Sequence, residues 1–435
     1  MQVAIDSLPA AFHACPHFKL LAELCSPKSA YLVGGALRDA LIGRPLTDLD
    51  LIFPQDPTAL ARDFARRIGG HWFWLDRPRL QSRVVVHHAD HCPNYDFALF
   101  RAPTLEQDLL DRDFTINALA LPLAKTLVHA AMIDPCRGLD DLRQGMLRMV
   151  HKDTFGNDPL RIIKGVRHAT ALGLEIEAAT LRQMRAAVAG LDRVAPERIR
   201  HEVWKILADR QASRGLQLLG TSGAGEQLFG PGFTGALDAW PDELAACRRR
   251  WQDFAAKHAM VADWLTREIE QGLNYETLLL FAFLLTSVEE GLPAHLAESW
   301  KLSRKTRAGI KAVTALDASR VADFMKIARN QRAYAWWSAR HGIDPKLLLL
   351  ALAGSLATAS FTAEIQAWAP LVEGIVDGYP HDLVDGHWLR DELLLQEGPA
   401  MSHALEMLRN AEIYGEVATP QEARRFLLRQ YHNRD

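Results

Sequence analysis

The sequence predicts an α/β head followed by a long all-α neck, body and tail. Two observations carry this prediction. Up to about residue 130 short β-like runs alternate with helical stretches. From about residue 158 onward apolar residues recur at three- and four-residue spacing, as in Leu160, Ile163, Val166 and again in Val203, Ile206, Leu207. The 435 residues give a prior of about three domains. We place the head at 1–140, the neck at 141–220 and the body and tail at 221–435, with 221–225 and 230–232 as glycine-rich punctuation. A composition 49% hydrophobic and 24% charged excludes disordered, collagen-like and disulfide-scaffold chains.

Strand composition with turn-rich flanks predicts strands at 31–33, 49–53, 72–75, 84–87 and 97–100. The stretch YLVGGALRDALIGRPLTDLDLIF, residues 31–53, is the most informative. Tyr31 to Val33 reads as a buried strand, and Gly34-Gly35 turns it into a helix whose first N–H groups favour an anion such as phosphate. Arg38, in the first turn, can reach the same anion. The helix ends near Gly43, with Pro45 beyond. A strand follows on which Asp48 and Asp50, two residues apart, share one face, while Leu49, Leu51 and Phe53 face the core. Adjacent carboxylates repel unless a cation lies between them. Mg²⁺, which keeps substrate phosphates in its shell, is the natural one, so the pair reads as a metal clamp for phosphoryl transfer.

The chain holds 50 Lys and Arg against 53 Asp and Glu, a net charge of −3. Any nucleic-acid contact must therefore come from a local basic surface. Residues 160–214 supply one, with 11 Lys/Arg against 6 Asp/Glu. The five cysteines form no C-x-x-C pair and are odd in number, so reduced thiols in a cytoplasmic protein are expected. The first ten residues lack the basic-then-apolar pattern of a signal peptide. The uncharged segment 347–363 is shorter than the ~20 residues a membrane span needs and reads as a buried helix.

The frame GG-x-x-R-D-x-L-x-G-x-x-x-x-D-x-D, carried by Gly34, Gly35, Arg38, Asp39, Leu41, Gly43, Asp48 and Asp50, resembles the signature of the tRNA nucleotidyltransferase and bacterial poly(A) polymerase family, of the class II CCA-adding type. The resemblance implies a head of the polymerase-β-type nucleotidyltransferase fold, Mg²⁺ on Asp48 and Asp50, and triphosphate contact at Gly34, Gly35 and Arg38. NYDFALFR, residues 94–101, resembles the strand of the family's third acidic residue, which falls on Asp96. DRDFTINAL, residues 111–119, resembles the ribose-contacting motif, matched by Arg112 and Asp113 but not by Asp111, where the family has arginine. The segment 157–167 resembles the helix whose aspartate and arginine read the edge of the incoming base, here Asp158 and Arg161. Arg167 matches its last arginine, Lys164 replaces another without the planar fork, and Asn157 replaces a glutamate. Pro159 also suits a first helical position and Asp158 an N-cap.

The resemblance implies a template-independent enzyme that adds C and/or A to the tRNA 3′ end from CTP and/or ATP, releasing pyrophosphate, with no membrane partner. Asp48, Asp50 and Asp96 would be catalytic. The oligomeric state is left open. A poly(A) polymerase acting on RNA 3′ ends and a catalytically dead RNA-binding relative are the alternatives; adjacent carboxylates argue against the second. Where some relatives carry a phosphohydrolase His-Asp pair this chain has Thr286-Ser287, so no hydrolase activity is expected. Only nine residues, APTLEQDLL, separate Arg101 from Asp111, with Thr104 and Gln107 in capping-box positions. Relatives that add the full CCA carry a longer mobile loop here, and those with a shortened loop stop after CC. The expectation is therefore CC addition.

Overall fold

The computed structural model describes all residues except 1–2, 7, 27–28, 87–92, 124–131, 239, 289–295, 297, 315, 355–361, 374, 376–379 and 433–435. The chain packs as two compact units, one of residues 1–194 with 221–227, the other of 195–220 with 228–435.

In the first unit two short helices, α1 (Leu8–His13) and α2 (Phe18–Cys25), precede strand β1 (Tyr31–Val33) and helix α3 (Gly35–Leu41). Next come β2 (Asp48–Phe53), α4 (Thr58–Ile68), β3 (His71–Asp76), β4 (Gln81–Val85) and β5 (Asn94–Leu99). Helix α5 (Leu105–Leu110), a 3₁₀ turn at Thr115–Asn117, β6 (Ala120–Pro122) and α6 (Gly138–Gln144) follow. The six strands form one mixed sheet in the order β3-β4-β5-β2-β1-β6. Only β2 and β5 run parallel; the other neighbours are antiparallel.

Alternation decides the two faces of this sheet. Leu49, Leu51 and Phe53 are buried, as are Tyr95, Phe97 and Val84 on the neighbouring strands. Helix α4 covers that face with the stripe Leu60, Ala61, Phe64 and Ala65. The Phe64 ring lies 4.9 Å from that of Tyr95, and the Arg62 guanidinium sits 4.2 Å over Trp72. Every expected strand is present, with shifted ends: β4 begins at Gln81 and so includes Arg83. His87 lies outside the described residues. Strand β6, three residues including a proline, was not expected; its pairing with β1 defines it.

Helices α7 (Thr154–Asn157), α8 (Leu160–Leu172) and α9 (Ala178–Ala187) follow, with a short parallel pair of Met146–Leu147 and Glu175–Ile176 and a 3₁₀ helix at Val188–Arg193. Helix α8 starts one residue later than expected, with Pro159 at its cap position. Asp158 still takes part, its Oδ1 accepting the Leu160 amide at 3.3 Å.

Among its described residues the second unit is helical apart from a two-stranded ribbon, Glu268–Glu270 with Leu273–Asn274. Helix Tyr275–Val288 packs on Arg304–Thr314, and Trp240–Lys257 on Pro345–Gly354. The side chains of Thr286 and Ser287 are outside the described residues. Around helix Pro399–Ile413 a separate apolar core gathers Leu389, Met401, Leu408 and Leu427. The buried Glu412 accepts from Arg332 at 2.7 Å and from the Trp336 indole at 3.2 Å. No helix among the described residues is long and apolar enough to cross a membrane. The four described cysteines, Cys15, Cys25, Cys136 and Cys247, are free thiols.

Candidate active site

The site stands on the sheet face opposite α4. Asp48 and Asp50 project from β2, and the parallel register sets Asp50 beside Asp96 on β5 and Asp48 beside Asn94. Paired residues share a face, so three carboxylates collect there. Thr47 Oγ1 and Asn94 Nδ2 each donate to Asp48, both at 3.0 Å.

Arg83, which the sequence reading did not single out, completes this group. It stands opposite Asp96 in the β4–β5 ladder. Its Nε donates to Asp96 Oδ1 at 2.7 Å and its Nη2 to Oδ2 at 2.8 Å, while Nη2 also lies 3.2 Å from Asp48 Oδ1. Burial pushes the Asp96 carboxyl up even though Arg83 pulls it down. Asp50 is raised to about 6, first by burial and then by the charge of Asp96, with Arg112 opposing and Asp48 adding. One bound guanidinium thus leaves the carboxylates under-neutralised, which is the electrostatic condition for a cation.

Among the described residues, no group of three or more His, Cys, Asp or Glu side chains is arranged to hold a metal ion unaided. Mg²⁺ does not require such a cage, since it takes one or two carboxylates and fills its shell with water and substrate phosphates. Asp48 and Asp50 fit that donor set. Both oxygens of Asp96 are held by Arg83, so Asp96 is free to join only if Arg83 moves.

The turn after β1 approaches these carboxylates from the other side. Gly34 has φ +69°, which favours glycine, and a Cβ there would stand 3.0 Å from Arg112 Nη1 and 3.8 Å from Asp50 Oδ2, which places the turn against both side chains. Arg38 is buried, and three of its five N–H donors are engaged: two reach Asp39 at 2.9 and 3.1 Å and one reaches Asn117 Oδ1 at 2.6 Å. Asn117 in turn donates to Asp113 at 3.0 Å. Arg38, Asn117 and Asp113 therefore form one bracing network beneath Gly35.

A set of guanidiniums is left over. Arg112 donates to the buried Asp108 at 3.2 Å, yet its buried Nε has no partner. Arg161 on α8 donates to the Asp111 carbonyl at 2.9 Å, and its buried Nη1 has no partner either. Arg101 is held below the usual guanidinium range by the protein around it and by Arg112, with Asp108 opposing and Arg79 and Arg161 adding. Three crowded arginines with two buried, unpartnered nitrogens form a local concentration of positive charge that favours an anion nearby. The sequence marks Arg101 as the last residue of NYDFALFR and the residue before the nine-residue link, but not as part of a charge cluster. Asp158 lies at the start of α8, and Lys164 and Arg167 follow Arg161 along it, Arg167 contacting the His168 ring at 3.3 Å. The Arg161 bond ties α8 to the segment 111–119.

The nine-residue link folds as α5. Thr104 Oγ1 accepts the Gln107 amide at 3.3 Å, the cap the sequence predicts. Asp108 anchors the helix from inside, its Oδ1 accepting the Arg101 amide at 2.7 Å.

Residues 30–148 match the model described as "Poly A polymerase head domain", and residues 173–237 match "Probable RNA and SrmB- binding site of polymerase A". The chain is 30% identical to a CC-adding tRNA nucleotidyltransferase of Geobacter sulfurreducens over 96% of each chain. It is 32% identical to an A-adding tRNA nucleotidyltransferase of Deinococcus radiodurans, over 93% of this chain and 96% of that one. Among solved structures, a CCA-adding enzyme complexed with ATP superimposes with TM-score 0.68 at 20% identity, covering 99% of this chain and all of the other. The Thermotoga maritima CCA-adding enzyme complexed with tRNA gives 0.64 at 19% identity, with the same coverage.

Proposed function

The chain belongs to the tRNA nucleotidyltransferase family built on the poly(A) polymerase head domain, and from that premise we propose that it extends the 3′ end of tRNA with CTP and/or ATP, releasing pyrophosphate. The observation that carries the reading is the carboxylate face of the sheet: Asp48, Asp50 and Asp96 in one register, with the Gly34 turn against Asp50. A cytoplasmic setting suits the free thiols.

In this reading Asp48 and Asp50 hold Mg²⁺, which supplies charge neutralisation at the α-phosphate and the leaving group and a lowered pKa for the attacking hydroxyl. The residues of the chain do the positioning. Gly34 and Gly35 let the triphosphate approach the backbone, and Arg112 and Arg101 offer donors to it. Arg38 acts through Asn117 and Asp113, keeping the ribose motif in place. Asp96, released by Arg83, orients the RNA 3′-hydroxyl. Asp158 and Arg161 face the base as acceptor and donor, and Lys164 and Arg167 extend the positive wall of α8. In this reading residues 1–140 serve catalysis, 141–220 base recognition and RNA binding, and 221–435 tRNA binding.

Replacing Arg161 by alanine relaxes base choice more than it weakens triphosphate binding. By analogy with side-chain readout of base edges, one lost bidentate-type contact removes about 1–3 kcal/mol of discrimination. Competition of CTP against UTP reads this directly; unchanged selectivity with lost affinity would remove Arg161 from the base-reading role.

The short, capped α5 supports a choice among the nucleotides that could be added. A helix capped by Thr104 and anchored by Asp108 at both its flanks has little freedom to reshape the pocket from CTP to ATP. We therefore assign CC addition, leaving the terminal A to another enzyme. Incubation with tRNA ending before CCA, with both triphosphates present, yields a product two nucleotides longer. A three-nucleotide extension ending in A, or addition of a lone A to tRNA ending in CC, refutes the assignment.

A further inference from the structure

Large apolar side chains at the surface are few among the described residues, and two of them, Phe73 at 44% and Leu75 at 43% exposure, stand on edge strand β3. Phe73 is opposite Arg83, Arg83 is opposite Asp96, and Asp96 is opposite Asp50. One row of side chains thus crosses four strands on the face away from α4. Trp72 lies under Arg62 of α4 on the other face, so the open position of Phe73 follows from the pleat.

This row has a direction. The Gly34 turn and Arg112 meet Asp50 from the β1 side, which is where the nucleoside triphosphate and its leaving pyrophosphate belong. Phosphoryl transfer requires the attacking and leaving oxygens to be roughly in line across the phosphorus. The attacking 3′-hydroxyl must then arrive from the β5–β4 side, past Asp96. The strand carrying that hydroxyl runs on over Arg83 and reaches β3 about 10 Å from Asp96, two inter-strand spacings away. Its bases meet an exposed aromatic ring there, next to a guanidinium on the same face.

Resting on the nucleotidyl-transfer reading, we propose that Phe73, flanked by Leu75 and Arg83, is the stacking platform for the 3′-terminal nucleotides of the acceptor RNA. An aromatic face is sequence-tolerant, since every base can stack on it. That property suits a subsite which receives a different terminal nucleotide at each round of addition.

The test uses the full-length protein and tRNA lacking its CCA end, with 2-aminopurine as the terminal base in a parallel substrate. Phe73→Ala raises KM for the RNA by about tenfold, the effect of losing one stacked base. The KM for CTP stays unchanged, and Phe73→Tyr restores the wild-type value. Wild-type protein quenches the 2-aminopurine and Phe73→Ala does not. The proposal is overturned by an unchanged RNA KM and quench in the alanine variant, or by a defect the tyrosine variant does not rescue. A Phe73→Ala change in sedimentation would mark this face as a protein interface and overturn it as well. Wild-type protein that quenches the probe, with the loss in Phe73→Ala, but incorporates no nucleotide would overturn the activity and support the subsite.

Discussion

Asp50→Asn abolishes nucleotide incorporation, by about 10³-fold or more, because it removes several kcal/mol of charge stabilisation from the transition state. The fold survives and gains. The Asp50 carboxyl titrates near 6 in the folded protein against a usual 3.8, so folding favours its protonated form. Its contribution to stability is fully present below 3.8 and is lost as pH rises through about 6. Without metal, the asparagine variant therefore melts higher than wild type at pH 7–8, and the difference shrinks towards pH 4. Magnesium raises the melting temperature of the wild type but not of the variant. Near-wild-type incorporation, or a variant that melts lower at neutral pH, would sink the assignment of Asp50.

Gly138→Ala is the substitution with the largest expected cost to the fold. A Cβ at this position would stand 2.1 Å from the Thr115 carbonyl oxygen and 2.7 Å from its carbon. Both are backbone, and neither end of the contact can yield easily. Asp134 holds the Gly138 and Leu139 amides at 2.7 and 3.0 Å, and Asp141 accepts from Thr115 Oγ1 at 2.6 Å. Overpacking of this kind costs about 3 kcal/mol. The displaced turn carries Asn117, so activity falls with stability. Gly145→Ala is the control: it has φ +71° but open space, and costs about 1 kcal/mol. Thermal melts of the two variants should differ clearly; equal melts would show that the Gly138–Thr115 approach is not obligatory.

Local chemistry was readable in the sequence wherever a feature lies within a few residues of its cause. The alternation of Asp48, Leu49, Asp50 and Leu51 defines two faces without further information, and Thr104 caps α5 as its spacing requires. Arg83 was not readable. Its meaning comes from the β4–β5 register, and nothing at residues 81–85 announces that the odd positions will face carboxylates. Arg38 shows the same limit in another form. Its place in the first turn suggests a phosphate ligand, but Asn117, 79 residues away, takes one of its donors. Strand β6 is too short to show a period and exists because β1 offers it an edge. In the second unit the repeating apolar spacing announces helices but not which of them pack together. Glu412 finds Arg332 80 residues away.

The hydrogen-bond ladder joining β2, β5, β4 and β3 also sets a reading frame for evolution. Side chains change face at every residue, so a one-residue insertion or deletion inside β2 carries Asp50 into the apolar layer under α4 and brings a leucine out in its place. The segments between the strands are under no such constraint, because their length does not alter parity within a strand. Viable length variants of this enzyme should therefore fall between strands, whereas single-residue indels within 48–53 or 94–99 are lost from any functional library.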